Sequence, residues 1–309
     1  MDNILFVPAT RELEWVQDIL PGTSPAELPV AGRRVIEYAI ECAQRLNVMF
    51  TEVLDWRFSE QLADHFADLT RTGYPVFYVK GEGPVPKGLK DIEGYSSPLT
   101  SVISDGLVVV WGVAISTHTE ADVTLEPVTD EECADTPAGI YKREGGCWMR
   151  IVPHGIVVRN VKAWHALNFI VLRQPDKFTL PGYTTERDVH LGRNVVIEHG
   201  SDIKPPVLLQ DNTWFARNVR LDGEVIVDSG SYVSEGARLR RTVVCRDTMI
   251  GEGLDFEGKI VAGRRVIDAE TGTWVDLEEP GLARNIPNGL GWFRSLWRFM
   301  RGRSFGRRG

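Results

Sequence analysis

Residues 207–227, VLLQDNTWFARNVRLDGEVIV, repeat one chemical pattern every six positions. Leu209, Phe215, Leu221 and Val227 are large and apolar, and the residue two places before each is small or β-branched. The pattern extends both ways. The apolar column runs Leu191, Ile197, Ile203, Leu209, Phe215, Leu221, Val227, Val233, Leu239, Cys245. The column before it runs Val189, Val195, Ser201, Val207, Thr213, Val219, Val225, Ser231, Ala237, Val243. A third column, three places after the apolar one, is Asn194, Gly200, Pro206, Asn212, Asn218, Glu224, Gly230, Gly236, Thr242, Thr248. It favours Asn and Gly, which tolerate the positive φ or tight geometry of a corner.

Strand side chains alternate between faces, so this period predicts short strands that point every second residue inward before the chain turns. Three strands make one triangular coil, and coils stack with each backbone pairing to the next. Ten repeats give a little over three coils. The register slips at Ile250–Gly251, and Phe256, Ile260 and Val261 predict one further, irregular coil. The pattern resembles the left-handed parallel β-helix of sugar nucleotidyltransferases and hexapeptide acyltransferases. Handedness is implied by that resemblance, since a left-handed crossover departs from the usual rule.

The first 180 residues read differently. ILFV at 4–7, VMFTEVLD at 48–55, YPVFYVK at 74–80 and GLVVVWGVAIS at 106–116 are apolar, strand-like runs. Between and after them, Arg33 to Leu46, FSEQLADHFADLT at 58–70 (with Ser59 as its cap) and Ala163 to Leu172 carry helical spacing. Strands alternating with helices predict a Rossmann-like α/β domain with a largely parallel sheet. The expected organisation is an α/β domain over 1–180, a junction at Gln174 to Thr185, the β-helix over 186–275, and a linker with a basic amphipathic tail over 276–309.

Glu27 to Tyr38, ELPVAGRRVIEY, lies just after the first strand. It resembles the second half of the N-terminal signature of the NDP-sugar pyrophosphorylases, the sugar-1-phosphate nucleotidyltransferases, which reads roughly A-A-G-x-G-T-R-L…P-K-x-L-L-P-V-x-G-x-P-L-I-E-Y. Leu28, Pro29, Val30, Ala31, Gly32, Ile36, Glu37 and Tyr38 match it, and Arg11 matches the motif arginine through ATR. The resemblance implies ligand contacts at Arg11, Leu28, Pro29, Val30, Gly32, Glu37 and Gly112. In such a motif, glycines let backbone N–H groups reach the phosphates while Arg and Lys neutralise them.

The chemistry around this segment departs from the family. The cradle glycines are replaced by Pro8-Ala9-Thr10, and Pro8 has no N–H to give. The motif lysine falls at Pro25, and no lysine precedes Lys80. The family's apolar-run-Gly-Asp becomes Leu107 to Gly112 followed by Val113. A second aspartate, expected ahead of the helix Ala163–Leu172, meets Val157, Val158, Arg159, Asn160 and Val161 instead. Magnesium wants carboxylate oxygens, and these positions offer none. The resemblance therefore implies a nucleotidyltransferase-like protein without catalytic residues or metal ligands. No cofactor is expected; magnesium matters only to an active enzyme. Its place would be as scaffold or regulator, or holder of a sugar nucleotide, in bacterial surface-polysaccharide synthesis.

Two other readings remain open. An active sugar-1-phosphate nucleotidyltransferase would need relocated ligands, and Asp55, Asp105 and Glu120 have no spacing that pairs them and read as surface or loop carboxylates. A hexapeptide acyltransferase would use His190 or His199 as general base; both read as solvated surface histidines, His190 pointing outward beside Leu191. Trp111 and Trp148 read as core, and Lys80 to Gly88 is a weak phosphate-contact candidate that lacks a following helix N-terminus with the right spacing.

Composition bounds the partners. A net charge of −8 argues against general nucleic-acid binding, which needs a basic surface. Cys42, Cys133, Cys147 and Cys245 lie far apart and read as reduced thiols in a cytoplasmic protein. No apolar run is long enough to span a membrane. Leu290 to Gly309 holds six arginines and no acid. Trp292, Phe293, Leu296, Trp297 and Met300 share one helical face there, with Arg294, Arg298 and Arg301 mainly off it. Such a segment fits the inner surface of the cytoplasmic membrane, or a membrane-bound glycosyltransferase or sugar-phosphate transferase. The alternative is packing on its own β-helix or within a homo-oligomer formed through the β-helix.

Overall fold

The computed structural model describes residues 4–45, 51–57, 59–71, 76–93, 106–115, 124–152, 155–185, 188–278 and 283–285. The chain divides into two compact units, Met1–Leu167 and Asn168–Gly309. The division falls inside a helix, ahead of the junction expected at 174–185.

In the first unit, β1 (Ile4–Val7) leads through a 3-10 turn (Arg11–Leu13) to α1 (Trp15–Ile19). A second 3-10 turn (Pro25–Glu27) is held by a capping box, Ser24 accepting from Ala26 N and Glu27 from Ser24 N, each at 3.2 Å. Next come β2 (Pro29–Val30), β3 (Arg33–Arg34) and α2 (Val35–Arg45). Then follow β4 (Thr51–Asp55), α3 (Glu60–Arg71), β5 (Val76–Lys80), α4 (Leu89–Ile92), β6 (Val108–Trp111), β7 (Val113–Ile115) and β8 (Thr124–Pro127). The unit continues with α5 (Asp130–Ala134), β9 (Gly139–Glu144), β10 (Cys147–Val152) and β11 (Ile156–Val158), and α6 (Val161–Leu172) crosses into the second unit.

The main sheet has the order β5-β4-β1-β6-β9-β10-β8. Its first four strands are parallel and the rest antiparallel, so the sheet is mixed rather than largely parallel. The antiparallel part comes from charged, half-exposed sequence whose one clear signal is the Gly145-Gly146 turn between β9 and β10, with both glycines at positive φ. Alternation along β1 explains its continuous apolar run. Ile4 and Phe6 pack with Ile36, Ile40, Leu62 and Phe66 on one face, while Leu5 and Val7 pack with Leu54, Leu89, Trp111 and Trp148 on the other. Trp111 and Trp148 are core residues, as expected.

The second unit is a β-helix-like stack of short parallel strands laid in rotation on three sheets. The first sheet takes Val189–Leu191, Val207–Leu209, Val225–Val227, Thr242–Val244 and Lys259–Ala262. The second takes Val196–Ile197, Trp214–Phe215, Tyr232–Val233 and Thr248–Ile250. The third takes Asp202–Lys204, Arg220–Asp222, Arg238–Arg240 and Asp255–Glu257. Leu209, Phe215, Leu221, Val227, Val233 and Leu239 fill the interior, as the apolar column requires. Each such burial contributes about 1.5–3 kcal/mol.

The register slips earlier than the sequence suggests. Val207 pairs with Val225, 18 residues on, but Val225 pairs with Thr242, 17 on. Leu221 reaches Val225 through three residues; Leu239 reaches Thr242 through Arg240 and Arg241 alone. Val244, not Cys245, therefore joins the inner cluster, and Thr242 takes the place assigned to Val243. The corner column shifts likewise. Asn194, Asn212 and Asn218 turn at φ 57–58°, and beyond the slip Arg241 (45°) and Asp247 (55°) turn in place of Thr242 and Thr248. Ile197, in the first coil, is 41% exposed because no coil precedes it on that sheet. After Lys259–Ala262 the chain leaves the coil path: Arg265–Asp268 and Trp274–Asp276 add antiparallel strands to the first sheet, and Ala283–Asn285 adds one to the second.

Candidate functional site

The parallel strands run in the order third, second, first, fourth along the chain, so the connections reverse direction between β1 and β6. In sheets of this kind the crevice beyond the strand ends at that reversal is where ligands sit. Here Pro8-Ala9-Thr10 leaves β1, and Gly112-Val113 leaves β6. Pro8, Ala9 and Thr10 are all buried, and Arg11 is exposed at the start of its 3-10 turn. Gly112 donates its N–H to Val7 O at 2.9 Å and holds φ at +74°. A Cβ there would stand 2.9 Å from Ala138 Cβ and 3.5 Å from Thr10 Oγ1. Val113 opens β7 opposite Val158 of β11 and is buried. The small pocket at this point is lined by Pro8, Ala26, Val35, Ile36, Gly112 and Val113, every one without a charged or hydroxyl group.

ELPVAGRRVIEY is a hairpin followed by a helix. Ala31 and Gly32, at φ 41° and 77°, make the two-residue turn that pairs Val30 with Arg33. Leu28 and Val30 are wholly buried, so both build the domain and neither faces outward to a ligand. Pro29 O accepts from Trp164 Nε1 at 2.7 Å. Glu37 is held by Arg33 Nε at 3.1 Å and Arg34 Nη1 at 3.4 Å, with His65 Nε2 at 3.5 Å. Burial depresses the His65 pKa, with Glu37 opposing. Arg33 also reaches Glu41 at 2.8 Å. The structure thus brings Pro8, Thr10 and Gly112 together at the crevice and places Leu28, Val30 and Glu37 in packing or ion-pair roles.

Three features there carried little signal in the sequence. Thr10 Oγ1 is buried and finds no hydrogen-bond partner among the described residues. Glu12 accepts from Ala138 N at 3.2 Å and lies 3.8 Å from Arg159 Nε, while Arg159 donates to Ala138 O at 3.3 Å. The carboxylate nearest the crevice in sequence is thereby committed to a structural clasp. Asn160, at the position of the expected second aspartate, caps α6 by accepting from Ala163 N at 2.9 Å.

Asp55 corrects an expectation. It ends β4 fully buried rather than on the surface, accepting from Ser24 Oγ, from Tyr78 OH at 3.1 Å and from Arg57 N at 2.9 Å. Burial, then Asp55, pushes the Tyr78 phenol well up. His190 is also corrected. It points outward from the first sheet but is buried, with Nδ1 2.9 Å from Thr184 Oγ1, and burial lowers its pKa. His199 is exposed, as expected. In the Lys80 to Gly88 loop two of the three glycines serve packing, Gly81 against the Trp56 ring and Gly88 against Cys133 O, while Gly83 turns at φ +82° with nothing near it. Asp105, Glu120 and the aromatic and arginine residues from Trp292 to Arg301 lie outside the described residues.

Magnesium does not fit the crevice as built. Its strand ends offer Pro8, Thr10, Gly112 and Val113, where a hard cation needs carboxylates. Among the described residues, no group of three or more His, Cys, Asp or Glu side chains gathers at one point. Among them, too, no helix is long and apolar enough to cross a membrane.

No family model matches the chain. Over 120 residues, 38% of this chain, it is 24% identical to a UTP–glucose-1-phosphate uridylyltransferase of Synechocystis sp.. The matched stretch spans 31% of that protein's length. The likeness is a distant one to a nucleotidyltransferase, and it accompanies a mixed α/β sheet followed by stacked parallel strands.

Proposed function

We propose that this chain is a nucleotidyltransferase-like protein of the NDP-sugar pyrophosphorylase type that does not catalyse nucleotidyl transfer. The observation that carries this reading is the crevice between β1 and β6. Pro8 stands where the phosphate cradle would offer N–H groups, and buried Val113 stands where the metal-binding carboxylate would be. The stacked region is then the left-handed hexapeptide β-helix of that family. The chain acts as scaffold or regulator in bacterial surface-polysaccharide synthesis, with a sugar nucleotide as its small-molecule partner. Residues Trp292 to Arg301 meet the cytoplasmic membrane face or a membrane-bound transferase there. The uridylyltransferase likeness supports the sugar-nucleotide side of this reading.

The test is a thermal-shift panel of nucleoside triphosphates and NDP-sugars, each with and without magnesium. A ligand that binds only the folded state raises the melting temperature by mass action. The expected result is a magnesium-independent rise with one NDP-sugar. A magnesium-dependent rise with a triphosphate, followed by pyrophosphate release on adding a sugar phosphate, overturns the reading and makes the chain an enzyme.

A further inference from the structure

The outer face of the second sheet differs from its neighbours. The third sheet carries charge outward, with Lys204–Asp222 at 2.6 Å and Arg238–Asp255 at 3.7 Å among its ladders. The outward residues of the first, Leu208, Ile226, Val243 and Ile260, are buried. On the second, Val196, Trp214, Tyr232 and Met249 stand in register across four strands, each just before an inward residue. Val196 is 37% exposed, Tyr232 and Met249 are half-buried, and Trp214 is 9% exposed.

Carboxylates border this stripe. Glu198 accepts from Trp214 Nε1 at 3.1 Å. Glu198, Glu235 and Glu252 all act on the Tyr232 phenol, whose pKa burial raises and these charges raise further. Arg217 lies 3.7 Å from Glu198, while Glu235 and Glu252 are exposed. Aromatic rings and a methionine edged by carboxylates suit a segment bearing both rings and guanidinium groups.

The chain carries such a segment and leads it to this place. Residues 289–309 hold six arginines, Trp292, Phe293, Trp297 and Met300, and no acid. Ala283–Asn285 is hydrogen-bonded to Thr248–Ile250 in the second sheet, with Arg284 opposite Met249. From that edge strand, Trp214 is three strand spacings away, about 15 Å. Trp292 lies seven residues past Asn285, an extended reach of about 23 Å.

We propose that residues 289–309 dock on the Trp214–Tyr232–Met249 stripe of their own chain, with guanidinium groups toward Glu235 and Glu252. The proposal deepens the contact role given above to this segment: meeting lipid or a partner then requires its release from the stripe.

The full chain with a benzoylphenylalanine photo-cross-linker in place of Trp297 tests this, using an equal mixture of ¹⁴N and ¹⁵N protein and no lipid. Expected are adducts on the peptides holding Tyr232 or Met249, each of a single isotope. They should fall at least several-fold in Glu235→Lys/Glu252→Lys and in Arg298→Glu/Arg301→Glu. Mixed-isotope adducts, adducts elsewhere, or adducts indifferent to both charge reversals overturn it. Flotation of the unlabelled chain with anionic vesicles reads the lipid role separately. Cross-links in the parent chain, with no flotation of either the parent or the undocked Glu235→Lys/Glu252→Lys chain, remove the membrane reading and leave the docking in place.

Discussion

The Cβ that Gly112 lacks would stand 2.9 Å from the Cβ of Ala138, closer than two packed methyl groups sit. This close approach lies where the end of β6 meets the start of β9, with Trp111 opposite Gly139. Gly112 also sits at a φ of +74°, where a side chain is strained whatever the space. Gly112→Ala should therefore lower stability by about 1–3 kcal/mol in urea unfolding. Ala138→Gly in the same chain should return only the packing part of that loss. Full recovery would mean that backbone strain contributes nothing.

A carboxylate introduced at Val113 should not create a metal site. Val113 is buried and paired to Val158, so Val113→Asp places an unpaired charge inside the sheet. The expected cost is about 2–4 kcal/mol by denaturant melting, with no magnesium-dependent change. A melting temperature that climbs with added magnesium would show that the crevice can still gather the ion.

Asp228 gives the second unit a pH dependence. Its carboxyl is buried and accepts from Ser229 N at 2.7 Å, and burial raises its pKa. A carboxyl raised on folding adds stability that is complete below its unfolded pKa of about 3.9 and is lost as pH rises through the folded value. Asp228→Asn should therefore melt higher than the parent at pH 7 and match it near pH 3. Equal melting curves at both pH values would refute this.

The corrected register predicts an asymmetry between adjacent residues. Val244 belongs to the inner cluster and Cys245 does not. Val244→Ala should cost about 2 kcal/mol, and Cys245→Ala under about half of that. The reverse order in urea melts would restore the unbroken six-residue column through Cys245.

What could be read from the sequence follows from how each element is stabilised. The coils were legible because every inward position needs an apolar or small residue, which leaves a period. The slip at Arg240-Arg241 was not. Val243, Val244 and Cys245 are all small and buried, so either register satisfies the pattern. The β8–β9–β10 ribbon escaped because its cross-strand pairs mix apolar with charged residues, as in Trp148 with Arg143 and Met149 with Lys142, and leave no clean alternation. At the crevice, the want of an N–H at Pro8 and of a carboxylate at Val113 was visible in the sequence. The Glu12–Arg159–Ala138 clasp was not, because Glu12 lies more than a hundred residues from both of its partners. His190 misled for a related reason: alternation gives the direction of a side chain and says nothing of what covers that face.

The shortened corner at Arg240-Arg241 is never made up. Leu239 with Phe256 spans that corner and so stands 17 residues apart, and Val244 with Val261 is also 17 apart because the next passage, from Phe256 to Lys259 through Glu257 and Gly258 alone, is short by one residue too. Such a stack counts faces, not residues, and a lost position becomes a permanent change of phase instead of a fault. The passage from the third sheet to the first, at Gly223-Glu224, Arg241 and Gly258, is thus the tolerant seam of the molecule. Foreign loops could be spliced there, and drift in length among descendants of this chain would gather there, while the strands on either side stay fixed.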